Sequence, residues 1–179
     1  FWLPTPEIAI ERVAQRVLEG GHSIPNDVIR RRYQAGIDNL FNIYLDIVMN
    51  QKRESYLIPV EMKLDKYSLN DVTKALDKII EVHPILKGYI DSKGDTPFIK
   101  LGKKPLIKII NKISKEELVK FLTSSFDINH ELVRFLFNKE DKTLYCVFHH
   151  IIFDGLSTIV FSNHLLDILN KKEVSKDIT

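Results

Sequence analysis

Two histidines stand side by side at the end of an apolar run. The run is Tyr145-Cys146-Val147-Phe148-His149-His150-Ile151-Ile152-Phe153, and Asp154-Gly155 follows it. It reads as a buried strand that breaks at the Asp-Gly turn and feeds a helix. Strand side chains alternate between faces, so Leu144, Cys146, Phe148 and His150 share one face and Tyr145, Val147 and His149 share the other. Imidazoles at the end of an apolar strand are costly unless each finds a partner. An imidazole fixed by its surroundings, with one nitrogen left free, is what a general base needs. Asp154 is placed to cap the helix or to brace the turn. Gly155 lets a backbone approach closely and starts the helix.

The rest of the composition narrows the chemistry by exclusion. The chain has 179 residues, with 26 basic and 24 acidic side chains and a formal net charge of +2. That balance gives no reason to expect nucleic acid or an acidic membrane surface as a partner. The lone cysteine, Cys146, rules out a disulfide or a cysteine-based zinc site within one chain and suits a cytoplasmic protein. No apolar run approaches the ~20 residues of a membrane span. The chain opens on Phe1 rather than Met, and the expectation is that it is part of something longer. His22, His83, His130 and His164 show no ligand spacing, so no metal is implied.

The elements that must position the histidines are legible from periodicity and punctuation. Residues 1–49 read as two helices: Thr5 caps the first with Pro6 at its first position, Gly20-Gly21 stops it, and a second follows His22-Ser23-Ile24-Pro25. Arg30-Arg31-Arg32 on the second is either a solvated face or a phosphate contact. A polar turn at 50–55 leads to a strand over 56–64, where Pro59 indicates an edge or a strand start. Ser68 with Asp71, and Ser114 with Glu117, have capping-box spacing and open two further helices. Between them, 85–90, 97–101 and 106–110 read as short strands, with a hairpin turn at 91–95. An apolar strand over 132–137, interrupted by Arg134, turns at 138–142 into the histidine strand, and a last helix covers 156–171. Mixed strands and helices in this order predict a two-layer α/β sandwich with one sheet.

The spacing His-His-x-x-x-Asp-Gly on such a strand resembles the signature of the condensation domains of non-ribosomal peptide synthetases, within the wider chloramphenicol-acetyltransferase-like acyltransferases. The flanks agree. Tyr56-Leu57-Ile58-Pro59 is similar to the element that opens a strand in that family. Phe126-Asp127 with Leu132-Val133-Arg134 resembles its Phe-Asp-Leu…Pro-Leu-x-Arg element. The resemblance covers residues 42–179 and implies one lobe, the N-terminal one, of a two-lobed enzyme whose site lies in the tunnel between lobes. It implies that His150 is the catalytic histidine, that His149 is structural, and that Asp154 braces the loop through a salt bridge. It implies amide bond formation between a thioester donor and an amine acceptor, both riding on phosphopantetheine arms of carrier proteins, with no cofactor bound by this chain. A base near neutrality suits deprotonation of the amine, and backbone N–H groups at the helix start after Asp154 suit the developing oxyanion. One departure stands out. The family's Arg-His-x-x-Leu-Arg-Thr is here Val82-His83-Pro84-Ile85-Leu86-Lys87-Gly88, so the usual partner of the motif aspartate is gone and Arg134 or Lys87 must replace it. With one lobe only, the fragment is expected to be inactive alone.

Residues 1–49 carry a second resemblance. Leu3-Pro4-Thr5-Pro6-Glu7-Ile8-Ala9-Ile10-Glu11-Arg12-Val13, Gly20-Gly21-His22-Ser23-Ile24-Pro25 and Ile29-Arg30-Arg31-Arg32-Tyr33 look like a late segment of zeta-toxin-type kinases. The phosphate cradle of those P-loop proteins is missing, which excludes a complete kinase. The expected division is thus a helical segment at 1–49 and a condensation-type lobe at 50–179. The rival readings are a non-catalytic carrier-protein docking or scaffold module, and a nucleotide-binding remnant of kinase origin.

Overall fold

The computed structural model describes residues 5–18, 20–50, 56–93, 96–172 and 174. Two helices come first, α1 (Pro6–Leu18) and α2 (Asn26–Asn50). Thr5 Oγ1 accepts the Ile8 N–H at 3.4 Å at the start of α1. Its end is set by Gly20, whose φ of 92° lies in the left-handed region. There the N–H of Gly21 donates to the Arg16 carbonyl at 2.8 Å. Arg30 pairs with Glu7 at 2.6 Å across the two helices, and Arg31 and Arg32 are exposed. These helices form one compact unit, and the elements from β1 onward form another.

The second unit is built on a four-stranded sheet of order β1-β6-β5-β4. Its strands are β1 (Leu57–Lys63), β4 (Ile107–Ile110), β5 (Val133–Asn138) and β6 (Thr143–His149). The sheet is mixed: β5 and β6 form the expected antiparallel hairpin, β1 joins β6 antiparallel, and β4 joins β5 in parallel. Pro59 is tolerated because β1 is an edge strand. Every residue of β6 is buried, as the apolar run predicts. Three helices complete the unit: α3 (Leu69–Val82), α4 (Lys115–Thr123) and α5 (Gly155–Leu169). Both expected capping boxes form, Ser68 with Asp71 and Ser114 with Glu117.

Packing separates the two faces of the sheet. Phe135 and Phe148 point to the side of α5, where Phe161 lies 6.3 Å and 4.9 Å from them between ring centroids. Arg134 and Val147, paired across β5 and β6, occupy the opposite face. There the Arg134 guanidinium lies 4.2 Å from the Phe126 ring centroid and 5.7 Å from that of Phe121 of α4.

Two expectations are corrected. The stretch 85–90 is not one strand: Pro84–Lys87 is a 3₁₀ turn, and a strand, β2 (Gly88–Lys93), begins only after it. Pro84 fixes φ at a helical value and so favours the turn. Nor is there a single sheet. Strand β2 pairs with β3 (Thr96–Leu101) as a separate two-stranded ribbon. The Ile90 N–H goes to the Ile128 carbonyl at 2.7 Å instead of to a third strand. The expected turns at 50–55 and 91–95 fall, for residues 51–55 and 94–95, outside the described residues.

Candidate active site

The chain leaves the sheet at His149, and that sets two different fates for the adjacent imidazoles. His149 is only 1% exposed. Its N–H donates to the Leu132 carbonyl at 2.9 Å, and its Nδ1 accepts the Ile151 N–H at 3.1 Å. An Nδ1 that accepts is unprotonated, so the ring proton sits on Nε2. The rings of Tyr56 and Phe126 flank the imidazole at 6.1 Å and 6.0 Å. Burial, and secondarily the neighbouring His150, pushes the imidazole down to about 4. His149 is thus a buried, neutral side chain that spends its Nδ1 acceptor on its own turn.

His150 lies just past the strand end and is exposed. Its backbone is fixed on both sides: the N–H donates to the Tyr56 carbonyl at 2.8 Å, and the carbonyl accepts the Phe153 N–H at 3.4 Å. Phe153 in turn stacks on Phe148 at 3.8 Å between centroids, with the planes 4° apart. The turn that carries His150 is therefore clamped to the aromatic core while its imidazole faces outward.

Asp154 is the N-cap of α5. Its Oδ1 accepts both the Ser157 N–H and the Ser157 Oγ–H, each at 2.7 Å. Burial raises its pKa, and the two hydrogen bonds from Ser157, together with positive charge nearby, bring the carboxyl below its ordinary value. The expected ion pair between Asp154 and Arg134 is not formed. Arg134 extends from the face opposite α5 and donates to the Ser124 carbonyl at the end of α4. Val82, in place of the motif arginine, is buried, and Lys87 does not take over. Asp154→Ala is accordingly expected to cost ~1 kcal/mol, the loss of one cap, rather than the ~3–5 kcal/mol of a broken buried pair. Thermal unfolding of the variant distinguishes the two: a loss in the larger range would restore the brace.

The close backbone approach expected at Gly155 is also absent among the described residues. A Cβ placed there meets nothing within 4 Å, and its backbone is not left-handed. Gly155→Ala should leave the melting temperature unchanged or raise it, by up to ~1 kcal/mol of added stability. A clear drop in a thermal melt would show a constraint that the lobe itself does not contain.

Ser157 was not singled out from the sequence, although Asp154-x-x-Ser157 is the spacing at which a cap meets the third helical residue. The pair His83–His164 was also missed: His83 Nε2 and His164 Nδ1 are 2.8 Å apart, joining the end of α3 to the middle of α5. Nothing local relates residues 81 positions apart in the chain. Among the described residues there is no group of three or more His, Cys, Asp or Glu side chains able to hold a metal. No described helix is long and apolar enough to cross a membrane.

Residues 43–178 match the model of the condensation domain. Three solved structures are similar in fold. One is the starter condensation domain of rhizomide synthetase (TM-score 0.65, 11% identity, 78% of this chain and 38% of that one). Another concerns condensation domain-mediated chain release from the enacyloxin polyketide synthase (0.59, 16%, 78% and 31%). The third is the condensation domain from the monacolin K polyketide synthase (0.59, 15%, 78% and 34%). The chain spans about a third of the length of these structures. The kinase resemblance of residues 1–49 has no support among these matches.

Proposed function

Because the chain belongs to the condensation-domain family, we propose that it is the N-terminal lobe of an acyltransferase that joins a carrier-bound thioester to an amine. The observation that carries this reading is His150: an exposed imidazole on a turn whose backbone is held by Tyr56 and Phe153, next to the start of α5. In the proposed reaction an imidazole nitrogen of His150 takes a proton from the attacking amine, or orients it. The amine nitrogen forms the new bond to the thioester carbonyl carbon, and the thiolate leaves with its electron pair. Backbone N–H groups of the first turn of α5 are suited to the oxyanion formed in between. His149 keeps the turn in place, and Asp154 with Ser157 fixes the helix start.

Donor and acceptor would arrive on the phosphopantetheine arms of peptidyl or acyl carrier proteins, in the cytoplasm, and a second lobe would close the tunnel. The test is incubation of the chain, alone and joined to a second lobe, with a carrier-bound acyl thioester and an amine, followed by mass spectrometry of the product. Absence of amide from the joined form would refute acyl transfer.

One observation favours a second reading, a docking or scaffold module. The motif arginine is replaced by buried Val82, and among the described residues Asp154 is held by Ser157 and not by a cation. Binding of a carrier protein by a two-lobed form that never yields product would favour this alternative.

A further inference from the structure

One peptide bond of the chain has the chemistry to rearrange by itself. Of the seven glycines, Gly155 alone follows an aspartate, and none follows an asparagine. An aspartyl carboxyl before a glycine can be attacked by the following backbone nitrogen, because no Cβ shields that nitrogen or restricts its swing. Asp154 and Gly155 are both exposed, and a Cβ placed at Gly155 meets nothing within 4 Å among the described residues. The cap opposes the attack. Asp154 Oδ1 accepts the Ser157 N–H and the Ser157 Oγ–H, each at 2.7 Å, and Ser157 is buried. Closing a succinimide ring needs Cβ and the Gly155 nitrogen to eclipse each other about the Cα–C bond. At the observed ψ of −175° they are staggered. The same two hydrogen bonds favour the carboxylate form, from which an oxygen does not readily leave.

We infer that Asp154–Gly155 is a site of spontaneous isoaspartate formation and that Ser157 is its guard. The step balances with water as its sole co-reactant. The Gly155 nitrogen gives up its proton and bonds to Asp154 Cγ. The protonated carboxyl loses its hydroxyl, which leaves with that proton as water. Water then adds to one of the two ring carbonyls. Cleavage of the new Cγ–N bond restores aspartate. Cleavage of the original peptide bond leaves the chain running through Cβ and Cγ, one backbone carbon longer at the start of α5. In the folded chain the ring closes only when the first turn of α5 opens, because both Ser157 bonds must release the carboxyl before it can turn. The rate therefore follows how often this helix start opens. The reaction is internal to the chain. It depends neither on what faces this end of α5 nor on the acyl-transfer reading.

The test is prolonged incubation of the chain at neutral pH. Electron-transfer fragmentation of the tryptic peptide 143–171 then tells isoaspartate from aspartate at position 154. Isoaspartate should build up slowly in the native parent and fastest in the parent held unfolded in urea. Ser157→Ala should speed it about fivefold in the native state, the effect on helix opening of losing one of the two hydrogen bonds. Gly155→Ala should suppress it in the native and the unfolded chain alike, with the fold retained by circular dichroism. A native parent that isomerises as fast as the unfolded chain, or a folded Ser157→Ala variant no faster than the parent, overturns the guard. Absence of isoaspartate from both the unfolded parent and Ser157→Ala overturns the site. If Ser157→Ala fails to fold, the comparison of native with unfolded parent still decides whether the bond is guarded.

Discussion

Given a carrier-bound thioester and an amine, the 179-residue chain should form no amide, whereas the same lobe joined to a second one should. The physical argument is one of magnitudes. His150 is exposed, so a donor and an acceptor brought to it would meet in water, without the tunnel that a second lobe would supply. Positioning two reactants can supply ~7–11 kcal/mol of barrier reduction. A single general base contributes ~10²–10⁴-fold, and one well-placed imidazole cannot make up the difference. In the joined form, His150→Ala should lower the rate by ~10²–10⁴-fold with little change in melting temperature, because the residue is exposed. His149→Ala should do the reverse, lowering the melting temperature and affecting the rate through stability. Product from the lobe alone would refute the two-lobe argument. A joined His150→Ala variant running at the parental rate would refute the assignment of the base.

The sequence made this division between the histidines partly visible. Alternation along 143–149 correctly assigned the two faces of the strand, because period two is a local rule. It could not say where the strand would stop. By alternation alone His150 would have shared the buried face with Cys146 and Phe148. It escapes because the chain turns at His149 and hands the N–H of Ile151 back to that ring. The capping boxes of α3 and α4 were legible for the same reason, since donor and acceptor are three residues apart. The partner of Asp154 was not. A guanidinium reaches its partner through space, and Arg134 turned out to lie on the face away from α5, over Phe126. The 3₁₀ turn at Pro84–Lys87 was hidden differently: an apolar run of that length fits a strand or a turn equally well, and the proline decided it. Neither the break between the two sheets nor the meeting of His83 with His164 has a local signal.

Acid should loosen the turn that carries His150, with His149 as the trigger. The unfolded chain takes up a proton on this residue near the ordinary histidine value, 6.5, while in the folded lobe burial pushes it down to about 4. Above 6.5 both states are neutral and the residue has no effect on the pH dependence. As pH falls below 6.5 the unfolded state binds the proton first, so stability declines and continues to decline until about pH 4. At 1.36 kcal/mol per unit, the full loss is about 3 kcal/mol, a substantial fraction of the stability of an ordinary domain. The structural reason is specific. Protonating Nδ1 sets an N–H against the Ile151 N–H that it now accepts at 3.1 Å, so the proton can enter only if that bond breaks. His149→Asn keeps an acceptor near the Nδ1 position and removes the titration. Its stability at neutral pH should be lower, because the shorter side chain leaves a void, yet its stability should fall less steeply from pH 6.5 to 4 than that of the parent. Denaturant unfolding at a series of pH values measures both slopes. Parallel curves for parent and variant over that window would show that His149 is not the group whose protonation opens the turn.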